Sequence, residues 1–240
     1  MELIKSARFV RMIWSVLLLV LLFFLSLWYL PIFRLSELNI VGNRKADINE
    51  IYYVLDEPIG KPLILLRFQP LQAKLIKTAW IAEAKISYTL PNKMEIRITE
   101  REIMAYIPYH GNYLAISNDG IALEISTQLP ASGPVILLTG IELPFLGVGD
   151  RIPADTDIQR VKLLIDQMSK SFKSLVAEIK LTDARYITIV SVDNYRIQIQ
   201  GNEVSTEQLN SMRTIILLMR EKSMKGTIIL QEGQPVFIPN

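Results

Sequence analysis

The sequence lacks cysteine and has a single histidine among its 240 residues. Without cysteine there are no disulfides and no thiolate metal sites, and such a composition suits an exposed compartment where a free thiol would be a liability. His110 alone cannot form a typical zinc site or a Cys-His pair, and it stands beside Gly111 in a predicted turn. We therefore predict neither a metal nor a cofactor.

Catalytic motifs are also missing. The sequence contains no GxSxG, HExxH, SxxK or GxxxxGK[ST] string. The acidic residues that could form a paired-carboxylate site of the glycosidase type are Glu100, Glu102, Asp119 and Glu124. Because Glu100 and Glu102 stand side by side with Arg97 and Arg101, we interpret them as a solvated edge. We predict that the protein is not an enzyme.

Charge is absent from one long run, Met12–Phe33, which contains 22 residues. As a helix at 1.5 Å per residue it would be about 33 Å long, close to the hydrocarbon thickness of a bilayer. Aromatic residues near both of its ends are typical of the headgroup level. The run therefore predicts a transmembrane helix over residues 12–33. The residues predicted to flank the membrane are Arg11, Trp14, Trp28, Tyr29 and Arg34.

A cleaved signal peptide is the alternative to a retained anchor. Its apolar segment would have about 7 to 15 residues and would precede a small-residue cleavage site. The run here is longer, and no Ala-x-Ala pattern follows it. The short tail, residues 1–11, contains three cations, which favours a cytoplasmic N-terminus. We expect an uncleaved single-pass anchor in the cell membrane, with the rest of the chain extracytoplasmic.

The chain beyond this anchor is electrically balanced. Three of the 26 basic and one of the 24 acidic residues lie in the tail, which leaves 23 of each sign. A balanced charge leaves no excess of Lys and Arg that would bind the phosphates of a nucleic acid, so nucleic acid is not an expected partner. At roughly 200 residues, this part is long enough for one or two ordinary domains.

The first part of the extracytoplasmic chain has the order β-α-α-β-β. A strand lies within Phe33–Asn43, a helix begins at Asp47 with Glu50 at the capping-box position, and a second helix lies within Pro70–Trp80. Two strands with period-2 alternation follow, joined at Pro91-Asn92. This order predicts two helices on one face of a three-stranded sheet.

The second part is predicted to be a mostly antiparallel sheet with two helices. One helical face runs from Ile158 to Phe172, and the second helix begins at Ser205 with Gln208 at the capping-box position. The last elements are a hairpin of "GTIILQ" and "PVFIP". The predicted fold class is therefore α+β.

Three segments resemble the bacterial cell-division family FtsQ, which is called DivIB in many Gram-positive bacteria. They are "LNIVGN" at 38–43, "LPNKMEIRITER" at 90–101 and "AYI" at 105–107. Tyr88, Ile103 and Ser117 depart from residues that are frequent in the family. The resemblance implies a cytoplasmic tail over 1–11, a transmembrane helix over 12–33, a POTRA domain over 34–103 and a β-domain over 104–240.

The resemblance also implies a function, which is a non-enzymatic scaffold at the division septum. Such a scaffold recruits the bitopic proteins FtsB (DivIC) and FtsL and links them to the septal peptidoglycan synthase complex. In the family the last strands of the β-domain receive the FtsB segment by β-augmentation. The matching positions here are Ile228, Ile229, Leu230, Gln231, Val236, Phe237 and Ile238.

Alternation along the last strand places Phe237 on the opposite face from Val236 and Ile238. We expect Phe237 to face outward as an anchor for the partner, with its two neighbours on the core face. The faces could be exchanged, because sequence alone does not set the pairing register.

Two other classes of function remain as alternatives. A membrane-tethered cell-wall enzyme would need a nucleophile, base or metal constellation, which the sequence lacks. A secretion or assembly factor of the POTRA type would need roughly eight or more further alternating strands, and the remaining sequence is too short and too rich in helices.

Overall fold

The computed structural model describes residues 2–29, 31–131, 133, 135–153, 156–183, 186–200, 204–231 and 234–239. The side chains of 2–10, 25–29, 31, 64, 156, 182, 183 and 231 are outside this description. The chain divides into two compact units, Met1–Glu100 and Arg101–Asn240.

The first unit begins with the long helix α1, Glu2–Tyr29. A 3₁₀ turn, Pro31–Phe33, follows it, as expected of a proline, which cannot continue a helix. Since α1 begins at Glu2, it also includes residues 2–11 of the predicted cytoplasmic tail. Among the residues that the structure describes, we find no helix with both the length and the apolar character needed to cross a membrane. The predicted transmembrane span remains a prediction.

The rest of the first unit has the predicted order of elements. They are β1 Glu37–Val41, α2 Ile48–Val54, a 3₁₀ turn Leu63–Leu65, α3 Phe68–Leu75, β2 Ile81–Thr89 and β3 Lys93–Glu100. The sheet order is β1-β3-β2, with β1 parallel to β3 and β2 antiparallel to it. This arrangement leaves β1 and β2 at the edges.

Local signals in the sequence explain these elements. The Asp47 carboxylate accepts a hydrogen bond from the backbone N–H of Asn49 at 2.9 Å and caps α2. Helix and sheet side chains then share one core cluster, which contains Leu75 of α3 and Ile96 of β3, both fully buried. Burying such a side chain stabilises the fold by about 1.5–3 kcal/mol. The unit therefore has a core of its own.

The described residues of the second unit form nine strands and three helices. The strands are β4 Ile103–Tyr109, β5 Asn112–Ser117, β6 Ala122–Ser126, β7 Leu137–Thr139, β8 Val176–Asp183, β9 Tyr186–Ser191, β10 Arg196–Gln200, β11 Gly226–Gln231 and β12 Gln234–Pro239. The helices are α4 Thr156–Gln167, α5 Lys170–Lys173 and α6 Thr206–Glu221.

All nine strands form one sheet, in the order β12-β11-β10-β9-β8-β7-β4-β5-β6. Five of the eight neighbouring pairs are antiparallel. The parallel pairs are β10–β11, β4–β7 and β7–β8. The predicted α+β class and the mostly antiparallel sheet are confirmed.

The helices of the second unit contribute to one core with the sheet. The single helical face predicted from Ile158 to Phe172 is wrong in one respect, since the helix ends at Gln167. Ser169 then caps the short α5, accepting from the N–H of Phe172 at 3.3 Å. The capping box at the start of α6 is confirmed, with Gln208 and Ser205 bonding each other reciprocally.

Candidate partner-binding edge

The predicted partner-binding residues lie on the last two strands of the chain. β11 and β12 pair without interruption from Gly226 opposite Pro239 to Gln231 opposite Gln234. β12 is the terminal strand of the sheet, and no other strand among the described residues pairs with its outer edge. An edge with unpaired backbone groups is a site where an extended segment can add a strand.

Phe237 lies on the core face of β12. Its ring is partly buried against the core of the second unit, opposite Ile228, which is fully buried. Gly226 leaves room for this ring, because a Cβ at that position would stand 2.2 Å from a ring carbon of Phe237. The glycine therefore allows the aromatic ring to lie close to the backbone of the neighbouring strand.

Val236 and Ile238 lie on the opposite face and are 42% and 47% exposed. The expectation that Phe237 points outward is therefore wrong, and the two faces are exchanged. The physical reason is the pairing register: it places Phe237 beside Ile228, and the missing side chain of Gly226 makes space for the ring. A period-2 pattern alone does not determine which face is buried.

The other predicted residues divide between the same two faces. Ile229 pairs with Val236 and is half-buried, whereas Leu230 packs against the core with Phe237. The side chain of Gln231 is outside the described residues. The apolar face near the edge thus consists of the exposed Val236 and Ile238 and the half-buried Ile229. Partner binding by these residues remains a prediction.

Glu100, one of the acidic residues considered for catalysis, has a different role. One of its carboxylate oxygens accepts backbone N–H bonds from Arg44, Lys45 and Ala46 at 2.6, 2.7 and 2.7 Å. Partial burial works to raise the pKa of this carboxyl, but the three N–H donors and the charge of Arg44 outweigh burial and hold the pKa below its ordinary value. Glu100 therefore holds the loop before α2 against the end of β3.

Asp119 is likewise held by neighbours. Its carboxylate accepts from the Ser117 hydroxyl at 2.6 Å and from the Arg101 guanidinium at 2.9 Å. Burial works to raise the pKa of Asp119, but these two donors lower it overall. Arg101 is itself buried and Glu100 is half-buried. The interpretation of Glu100 and Glu102 as a solvated edge beside Arg97 and Arg101 is therefore wrong for Glu100 and Arg101, whereas Arg97 and Glu102 are exposed. A general acid needs a raised pKa near neutrality, and neither carboxyl has one.

The other candidate residues from the sequence are Glu102, Glu124 and His110. Glu102 is exposed and Glu124 half-buried. His110 is in the predicted turn, with its ring centroid 4.5 Å from that of Tyr109. Within the described part of the chain, no group of three or more His, Cys, Asp or Glu side chains could hold a metal ion.

The predicted membrane flanks lie at or near the two ends of α1. Arg11 and Trp14 are exposed, and Arg34 forms an isolated antiparallel bridge with Pro62. Trp28 and Tyr29 end the helix, and their side chains are outside the described residues. Whether these residues contact a bilayer remains a prediction.

The chain is similar to known proteins in both its first domain and its overall sequence. Residues 33–101 match the family model described as "POTRA domain, FtsQ-type". The chain is similar to the cell division protein DivIB of Clostridium acetobutylicum, with 25% identity over 87% of this chain and 84% of the relative. It is also similar to DivIB of Bacillus subtilis, with 26% identity over 72% of this chain and 59% of the relative.

Other relatives carry the second family name. The cell division protein FtsQ of Zymomonas mobilis is 24% identical over 57% of this chain and 43% of its own length. A solved extracytoplasmic domain of DivIB from Geobacillus stearothermophilus is 15% identical, with a TM-score of 0.37, over 51% of this chain and 97% of that domain. The FtsQ-type POTRA domain and the relatives named DivIB and FtsQ confirm the resemblance seen in the sequence.

Proposed function

We propose, from the position of this chain among relatives of the DivIB and FtsQ cell-division proteins, that it is a non-enzymatic scaffold of the divisome. Its relatives are cell division proteins, which supports a role in division. The proposal assigns the protein to the septum, where it recruits or stabilises FtsB/DivIC-like and FtsL-like bitopic proteins. Through them it links to the septal peptidoglycan synthase complex.

The proposal includes a membrane anchor at the N-terminus. The uncharged run Met12–Phe33 supports it, together with the exposed apolar side chains that α1 carries from Met12 to Phe24. Such side chains are expected to be covered by lipid or by another protein. With the cationic tail in the cytoplasm, the POTRA domain (34–103) and the β-domain (104–240) would stand outside the membrane.

The observation that carries the proposal is the outer edge of β12. It is the end of a nine-stranded sheet in a relative of division proteins, and no other strand of the described residues pairs with it. Beside this edge, Val236 and Ile238 lie on an exposed face. Backbone pairing would supply affinity for an extended partner segment, and the exposed apolar side chains would make the binding selective for its sequence. We assign this edge to the FtsB/DivIC-like partner.

The direct test is a pull-down of the FtsB/DivIC-like protein of the same host with the full chain. Val236→Asp and Ile238→Asp should each reduce capture at least about tenfold, as expected for truncating a central apolar contact. Ile125→Asp is the matched control, because Ile125 is 42% exposed on β6, at the opposite edge of the same sheet. Equal capture by all three variants would overturn the assignment to β12.

Depletion of the protein in its host separates this function from that of a cell-wall hydrolase. A division scaffold predicts filamentous cells that continue to elongate. Lysis or thinned walls without filaments would contradict the proposal.

A further inference from the structure

Two prolines lie on the terminal edge strand, at Pro235 and Pro239, one on each side of Phe237. We propose that these prolines make the edge selective: it accepts a foreign extended segment in a register centred on Phe237, and it disfavours pairing with a second copy of this chain. The inference rests on the proposed function, in which β12 receives a partner strand.

The orientation of the backbone follows from the register. In an antiparallel pair, successive residues direct their N–H and C=O groups alternately toward the neighbouring strand and away from it. Proline has no N–H, so within a sheet it belongs where that group would point away from the neighbour. Pro235 and Pro239 are four residues apart in an uninterrupted register with β11, so they share one orientation. The backbone groups of Gln234, Val236 and Ile238 therefore bond β11. Those of Pro235, Phe237 and Pro239 point away from β11, in the plane of the sheet.

The backbone groups that point away from β11 include more hydrogen-bond acceptors than donors. The carbonyls of Pro235, Phe237 and Pro239 are available, but only Phe237 has an N–H. An antiparallel foreign strand without prolines at the facing positions would therefore form four backbone hydrogen bonds, three to the carbonyls and one from Phe237. The only reciprocal pair is the one at Phe237, so two of the four bonds lie at this position, and it is the centre of the pairing.

A second copy of the same edge would pair much less well. In the symmetric antiparallel register the two Phe237 residues face each other and form two bonds, while each Pro235 faces a Pro239. Neither member of that pair has a donor, so the carbonyls of both prolines stay unpaired. Prolines on edge strands commonly prevent such edge-to-edge association. Here they also leave one donor for a partner of different sequence.

Hydrogen exchange of the full chain without any partner tests the orientation first. The amides of Val236 and Ile238 should be protected because they bond β11, and the amide of Phe237 should exchange fast. A protected Phe237 amide between two fast-exchanging neighbours would overturn the inference. This measurement does not depend on the identity of the partner.

Self-association tests the role of the prolines. The double variant Pro235→Ala, Pro239→Ala restores two outward donors, and it should dimerise in analytical ultracentrifugation at concentrations where the unchanged chain is monomeric. Pro144→Ala is the control, because Pro144 lies in an exposed loop; this variant should stay monomeric. A double variant that remains as monomeric as the control would overturn the inference.

Partner capture tests the single donor. With the FtsB/DivIC-like protein of the host as the probe, Phe237→Pro should bind about 2- to 10-fold more weakly than Phe237→Ala, since it lacks one further hydrogen bond. Pro235→Ala should bind tighter than the unchanged chain by a similar factor. Equal affinities within each comparison would overturn the inference. If the unchanged chain captures no partner, the proposed function fails, and hydrogen exchange and self-association still decide the edge orientation.

Discussion

Glu100 shows how one side chain can hold a backbone segment in place. Its carboxylate oxygen accepts three consecutive backbone N–H groups, from Arg44 to Ala46. Hydrogen bonds to an ionised acceptor are stronger than those between neutral groups. The ionised residue therefore stabilises the first unit. Burial raises its pKa, but the three N–H donors and the charge of Arg44 lower the pKa overall.

Glu100→Gln should lower the free energy of unfolding by about 1–3 kcal/mol at pH 7, because the amide oxygen carries no charge. A depressed folded-state pKa adds stability above the unfolded-state value, near 4.3, and this stability is lost as the pH falls through the folded-state pKa. The difference between variant and unchanged chain should therefore disappear in acid. Urea unfolding at several pH values measures it, with the exposed Glu83→Gln as the control. A difference that is constant with pH would contradict this account.

Gly226 is a second residue whose role depends on close contact. A Cβ there would lie 2.2 Å from the Phe237 ring and 2.4 Å from the backbone oxygen of Ile238. Gly226→Ala should cost about 1–3 kcal/mol, as overpacking does. Adding Phe237→Ala should recover part of that cost, since it removes the ring contact but not the backbone contact. Gly147→Ala, with only Asp150 side-chain atoms within 4 Å, should cost little. Strict additivity of the two changes would contradict the packing described.

Residue-scale features were predictable only where the signal is local. The capping box of Ser205 and Gln208 was visible in the sequence, since both partners lie within one turn. The pairing of Glu100 with residues 44–46 joins positions more than fifty apart, and no local pattern indicates it. The same holds for Gly226 and Phe237, which meet only when β11 and β12 pair.

At the scale of elements, the two faces of β12 have different roles. One face packs on the core and stabilises the fold, and the other is exposed. Phe237→Asp should lower the free energy of unfolding by about 2–4 kcal/mol, because a charge would enter a partly buried apolar site. Ile238→Asp should change it by less than about 1 kcal/mol, because that side chain is 47% exposed. Melting temperatures of the two variants measure the difference. Equal losses would show that the faces are not distinct.

The elements themselves were largely predictable, but their faces and one boundary were not. The order β-α-α-β-β and the terminal hairpin follow from periodicity, because side chains alternate along a strand and repeat every 3.6 residues on a helix. The break between α4 and α5 is not predictable from periodicity, since Met168 and Phe172 continue the apolar helical face across it. The predicted face of Phe237 is wrong because an alternating pattern is the same for both registers.

At the scale of the whole molecule, each unit has its own buried core. A fragment of residues 34–103 should therefore fold alone, with the mixed α and β signal of the first unit in circular dichroism and a cooperative melting transition. A fragment that stays unfolded while longer chains fold would show that the first unit depends on later residues. The boundary at 103 remains a proposal until this is measured.

Photo-crosslinking in dividing cells of the host tests most directly whether β12 is the edge that holds a division partner. A photoreactive benzoylphenylalanine is placed at Val236 or Ile238, and at Ile125 as the control on the opposite edge. We predict a crosslink to a small FtsB/DivIC-like protein from both β12 positions and none from position 125. Crosslinks to that partner from position 125 with none from β12 would contradict the account.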